Sequence, residues 1–146
     1  MKLAIMQPYF YPYLGYFQLI WATDSFLFHD DVGYIKQGWI NRNRIIRKQK
    51  VEYITIPLKN ASSSILINDR CTSLDDAGVK KVISKLWEAY RYSPYCDDIL
   101  DMVKNSLSHS ENIADIAIHS VLSVMNYLGV SRQVNRTSEK YPDTGL

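Results

Sequence analysis

Short apolar runs bounded by loops fill the first third of the chain, and longer runs of helical period fill much of the rest. Lys2 to Met6 is short and apolar and stops at Gln7-Pro8, which is the pattern of a buried parallel strand. Pro8 and Pro12 fix φ and lack a donor, so the stretch between them is expected to be an irregular loop. Leu14 to Ala22 then offers Leu14, Phe17, Leu19, Ile20 and Trp21 as one helical face. Phe26-Leu27-Phe28 follows as a second apolar strand. Strand, loop, helix and strand in about 30 residues form a βαβ unit. Glu52 to Pro57 reads as a third strand from its β-branched and aromatic content, with Lys59 just past its end, Ala61 to Ser64 a polar turn and Ile65 to Ile67 a short edge strand.

Helical spacing dominates from there. Leu74 to about Tyr92 carries Val79, Val82, Ile83, Leu86, Trp87 and Tyr90 on one face, and Ser93-Pro94 stops it. Tyr95 to Leu107 and Asn112 to Leu128 are two more helices, with Gly129 a C-cap for the last. Arg132 to Asn135 is expected as a fourth strand, ahead of a polar tail. The pattern as a whole predicts a single α/β domain over residues 1–146, Rossmann-like and three-layered, with a mostly parallel sheet begun by the βαβ unit and a helical second half. A strand placed so near residue 146 suggests a sheet that continues in longer relatives, or a natural short form.

Composition narrows the class. The chain has 146 residues, 47% of them apolar, a globular rather than a disordered balance. A net charge of +2 is too small to imply a nucleic-acid partner. Cys71 and Cys96 have neither metal-ligand spacing nor a disulfide framework, which fits a reducing, cytoplasmic setting. No stretch has the roughly 18 apolar residues of a membrane span. The 11 tyrosines suit half-buried packing or ligand contact.

Candidate chemistry gathers at two expected strand ends, where ligands bind in open α/β sheets. One is Gln7 to Tyr16; the other is Asp30 to Asn43, DDVGYIKQGWINRN. Asp30 and Asp31 can supply a general base or oxygen ligands for Mg²⁺, or serve as a turn or N-cap pair. The Asp-x-Asp spacing of a metal site is absent, and no metal or cofactor is assigned. Trp39 can stack on a ring, while Asn41, Arg42 and Asn43 offer planar donors for hydroxyls, carboxylates or phosphates. The alternative is that Trp39 packs and Arg42 pairs with Asp30 or Asp31. Tyr13-Leu14-Gly15-Tyr16 occupies the place of the His-x-Gly-His loop of certain nucleotidyltransferases and keeps its glycine, but it lacks both histidines. The basic run Arg42 to Lys50 reads as a solvated face or a phosphate contact. His109 and His119 read as surface or core histidines.

The motifs Gln7-Pro8, Pro12-Tyr13-Leu14-Gly15-Tyr16-Phe17, Asp30-Asp31-Val32 and Trp39-Ile40-Asn41-Arg42-Asn43-Arg44 resemble the WbqC-like protein family of bacteria, with Gly33 where that family commonly has Gln. The resemblance implies a bacterial cytoplasmic protein encoded among genes for O-antigen and other surface polysaccharides. Its implied role is acyl or aminoacyl transfer to a nucleotide-linked amino sugar. In that scheme Asp30 or Asp31 deprotonates an amine or hydroxyl and Lys59 steadies an oxyanion. Gln7, Tyr16, Trp39, Asn41, Arg42 and Asn43 hold the substrate, with Trp39 or Tyr16 stacking on a ring. The other hypothesis is a non-catalytic binding or scaffold protein of the same pathway, pairing with a partner or with itself as a homo-oligomer. The family's members are usually longer.

Overall fold

The structure is a computed structural model and describes residues 1–59 and 65–140. Its first element, β1 (Leu3–Met6), pairs in parallel with β2 (Ser25–Phe28) across α1 (Leu14–Ala22), the expected βαβ unit. The next strands, β3 (Arg42–Arg47) and β4 (Lys50–Thr55), pair antiparallel with each other and, among the described residues, with no other strand. Three helices follow: α2 (Asp76–Tyr90), α3 (Cys96–Leu107) and α4 (Ile113–Tyr127). The last strand, β5 (Gln133–Arg136), pairs in parallel with β2 and leads into the one-turn α5 (Thr137–Lys140). The fold is therefore α/β, with a parallel sheet of order β1-β2-β5.

The strand expected over Glu52 to Pro57 belongs to the separate hairpin, not to the parallel sheet. The reason lies in Lys48 and Gln49, whose φ values of 49° and 60° make a two-residue turn. That left-handed geometry matches the twist of paired strands and folds the basic run back on itself. The basic run Arg42 to Lys50 is thus β3, its turn and the first residue of β4. The Ile65 to Ile67 segment is not a full strand. It bonds to the start of the Asp30 loop through Ile67 N to Val32 O at 3.0 Å and Asn68 N to Asp30 O at 3.0 Å. The turn expected at Ala61 to Ser64, and the tail beyond Lys140, lie outside the described residues.

Two apolar cores follow from this layout. Ala4, Phe26 and Phe28 of the sheet meet Tyr16 and Ile20 of α1 and Ile118, Val121 and Met125 of α4. The hairpin contributes Ile45 and Ile54 to the other, with Val79, Val103, Leu107, Ile113 and Ile116 from the helices. Helix α4 enters both and so fixes the sheet relative to the hairpin. Both of its ends are well defined. The Asn112 side chain accepts from Ala114 N and Asp115 N. At the other end Gly129, at φ +67°, lets Val130 N reach Met125 O at 2.8 Å and Gly129 N reach Asn126 O at 3.0 Å. On the sheet face away from α1 and α4, Leu3 and Ile5 stay 46% and 48% exposed.

Candidate ligand-binding cleft

The two segments singled out by the sequence do meet, and Asn43 joins them. Its Nδ2 donates to Phe10 O at 3.0 Å and to Tyr11 O, and its Oδ1 accepts from Arg44 N at 2.7 Å. Phe10 N in turn donates to Trp39 O at 3.1 Å. Tyr11 is held by a further bond from its N to Ser120 Oγ at 3.0 Å, in a left-handed conformation at φ 47°. These bonds over-determine a backbone geometry that a non-glycine residue adopts only under constraint. The Pro8 to Pro12 loop is thereby fixed against both the hairpin and α4.

Between the segments lies a cavity of about 280 Å³ lined by Tyr9, Pro12, Tyr13, Trp39, Asn43 and Arg44. Three aromatic rings and one guanidinium dominate it. Trp39 stacks against Tyr53 at 6.5 Å between centroids and 24° between planes. The Arg44 guanidinium sits 4.9 Å from the Trp39 ring centroid, and Arg44 has no carboxylate partner among the described residues. Arg42 and Arg44 alternate onto one face of β3, with Tyr53 opposite Arg44. Gly15 matters here because a Cβ at that position would lie 2.4 Å from the Tyr13 ring. The glycine therefore lets Tyr13 fold over the start of α1.

Of the residues expected to form the site, Trp39 and Asn43 line this cleft. Arg42 flanks it, with its guanidinium 5.8 Å from the Trp39 ring and 4.9 Å from the Tyr53 ring. Its donors are committed: Nε bonds Gly38 O at 3.0 Å and Nη2 bonds Gln37 O. It pins the loop that carries Trp39 and pairs with neither Asp30 nor Asp31. Tyr16 does not face the cleft. It is 1% exposed in the sheet core, with its hydroxyl donating to the Gln7 backbone carbonyl at 2.8 Å, so Tyr16 braces the first loop from inside, and half-buried Gln7 is not among the residues lining the cleft. Burial drives the Tyr16 phenol's pKa far upward, so it stays protonated. Asn41 is also interior, accepting from Tyr34 Oη at 2.8 Å and donating to Ile56 O at 2.8 Å.

The expected catalytic group is dispersed. Asp30 is fully enclosed at 0% exposure, where it accepts from Ser138 N at 3.2 Å and Ser138 Oγ at 2.8 Å and lies 3.2 Å from Arg136 Nε. It thus caps α5 from the end of β2 and ties β5 down. Asp31 meets Thr137 Oγ1 and lies 3.1 Å from His29 Nδ1. Lys59 pairs with Glu111 at 3.0 Å on the surface, and that carboxylate holds its pKa above the ordinary lysine value. None of the three lines the Trp39 cleft. Among the described residues no three His, Cys, Asp or Glu side chains are placed to hold a metal ion, and no helix is long and apolar enough to cross a membrane.

Tyr9, Tyr13 and Arg44 line the cleft although the sequence pattern did not select them for the site. The signal for Arg44 was the strand period: once β3 starts at Arg42, its outward neighbour two residues on shares its face. Tyr9 and Tyr13 sit in a proline-rich loop with no period to read.

Fold and cleft together define a small α/β protein with a ring-lined, arginine-flanked cleft between its first loop and a β-hairpin. The chain belongs to the WbqC-like protein family, whose model matches residues 7–145. It is also 45% identical over 58 residues to the uncharacterized protein Rv1507c of Mycobacterium tuberculosis, a match covering 40% of this chain and 25% of that protein. No solved structure matches.

Proposed function

We propose that this WbqC-like protein acts in bacterial surface-polysaccharide (O-antigen) biosynthesis in the cytoplasm, and that it binds a nucleotide-linked amino sugar in the Trp39 cleft. The observation that carries this reading is the pairing of stacked rings with a cation that has no carboxylate partner among the described residues. Trp39, Tyr9 and Tyr13 offer flat faces for a base or a sugar ring, and Arg44 offers a charge for phosphate. Acyl or aminoacyl transfer to the bound sugar is the associated chemistry. A melting-temperature screen against a panel of nucleotide-linked sugars tests it. At least one member is expected to raise the melting temperature of the wild-type protein, and Trp39→Leu should remove that shift. Absence of a shift with every member would overturn the reading.

The dispersal of the three catalytic candidates favours a second reading, a non-catalytic binding or scaffold protein that uses the same cleft. Asp31→Asn and Lys59→Ala separate the two. Retained ligand binding with lost turnover supports transfer chemistry, and unchanged cellular function with both substitutions supports the scaffold.

A further inference from the structure

The cleft around Trp39 is small. At about 280 Å³ it lies under the ~300–1,000 Å³ of pockets that bury a drug-sized ligand. It encloses one end of a nucleotide-linked sugar, not the whole molecule. The side chains around it decide which end. Asn43 is spent on its neighbours, Nδ2 on Phe10 O and Tyr11 O and Oδ1 on Arg44 N. The Arg44 guanidinium, Trp39 Nε1 and the Tyr9 and Tyr13 hydroxyls are hydrogen-bonded to no other described residue. Guanidinium and indole only donate, and no carboxylate or imidazole lines the cleft among the described residues. An ionised phosphate only accepts, so it matches that set. An amino sugar does not. Its ammonium group would stand beside the Arg44 cation with no carboxylate to offset it.

The rings point the same way. Trp39 is already engaged: Tyr53 stacks on it at 6.5 Å between centroids, and the Arg44 guanidinium sits 4.9 Å from its centroid. Trp39 thus positions the cation. Tyr13 is different. It is 71% exposed, and neither a ring nor a guanidinium is stacked on it among the described residues. A Cβ at Gly15 would lie 2.4 Å from Tyr13 Cε2 and 3.2 Å from both Cδ2 and Cζ, a position off the edge of the ring. Gly15 therefore seats Tyr13 by its edge and leaves a face open to a planar group. Stacking on such a face is how proteins hold a nucleobase.

Resting on the reading that a nucleotide-linked amino sugar binds here, we propose that the cleft grips the nucleotide end of that molecule and leaves the amino sugar outside. The base lies on Tyr13, and Arg44 holds the phosphate attached to its nucleoside. A nucleoside 5′-monophosphate is then a ligand in its own right, and a sugar phosphate is a poor one. Calorimetry with wild-type protein tests this, using the 5′-monophosphates of uridine, cytidine, guanosine, adenosine and thymidine, and D-glucosamine 1-phosphate as the matched sugar end. At least one monophosphate is expected to bind, and D-glucosamine 1-phosphate at least tenfold more weakly. Tyr13→Leu, a change at an exposed side chain, should lower the monophosphate affinity about tenfold, the scale of one base stacked on one ring. Tyr13→Phe keeps the ring and should keep the affinity. Binding of no monophosphate, equal binding of D-glucosamine 1-phosphate, or unaltered affinity in Tyr13→Leu would each overturn the proposal. If a nucleotide-linked sugar still raises the melting temperature in that case, the broader reading of the cleft stands; if none does, both fall.

Discussion

Asn41 and Asn43 stand two residues apart and use the same chemistry for different ends. Asn43 binds the backbone of the first loop and borders the cleft. Asn41 is closed inside, its amide spent on Tyr34 and on the Ile56 carbonyl. Asn41→Ala strands both partners in the interior, so a loss of about 2–3 kcal/mol is expected in urea unfolding, well above a typical surface change. A loss no larger than that of a surface substitution would mean that Asn41 is not the brace described here. The amino-acid types alone could not separate these residues, because both amides look equally suited to a ligand. What separates them is their tertiary surroundings: Tyr34 and the Ile56 carbonyl close over Asn41, while Asn43 meets the Phe10 and Tyr11 carbonyls of the first loop. Asp30 is a similar case. A carboxylate after a strand reads as a base, but the contacts that enclose it come from Ser138 and Arg136, over 100 residues away in the chain.

The hairpin is the element on which the cleft depends most. Its inner face buries Ile45 and Ile54, and Arg47 binds Glu88 of α2, with Lys85 bridging to Glu52 at 3.0 Å. Its turn places Lys48 and Gln49 at positive φ, where side chains other than Asn and Gly are strained. The double change Lys48→Asn with Gln49→Gly is expected to raise stability by about 1 kcal/mol, read as a higher urea midpoint with an unchanged slope. A lowered midpoint would contradict the turn geometry. The βαβ unit was legible in the sequence from its short apolar runs, and the three long helices from their apolar period, with side-chain caps adding to it at α2 and α4. The hairpin was not, because neither Lys nor Gln is a turn signal and the five basic residues from Arg42 to Lys50 mask the period of a strand.

At the scale of the whole molecule, two cores share α4, and the loop at Tyr11 binds to both that helix and the hairpin. Tyr11 Oη lies 2.9 Å from Ser106 Oγ, which in turn contacts His119, so hydrogen bonds run from the Trp39 cleft to a histidine cavity, the space lined by His109, His119 and Arg136 where β2 and β5 meet α4. Burial holds the Tyr11 phenol at a pKa of about 12, so this link stays protonated throughout the neutral range. The parallel sheet contributes strand ends to the histidine cavity, while the cleft is made by a loop and a hairpin beside the sheet. That is why a rule about parallel strand ends, applied to the sequence, picked two segments that do meet but also drew in Asp30, Asp31 and Lys59, which lie outside the cleft between them.

The most direct measurement is the calorimetric affinity of whichever nucleotide-linked sugar stabilises the wild-type protein, compared across Arg44→Gln and Tyr16→Phe. A cleft built from Arg44 and the rings predicts about a tenfold loss in Arg44→Gln, the scale of one charged hydrogen bond. Tyr16→Phe should keep its affinity while losing stability. Unchanged affinity in Arg44→Gln, with binding lost in Tyr16→Phe at a temperature where that protein is folded, would contradict the account.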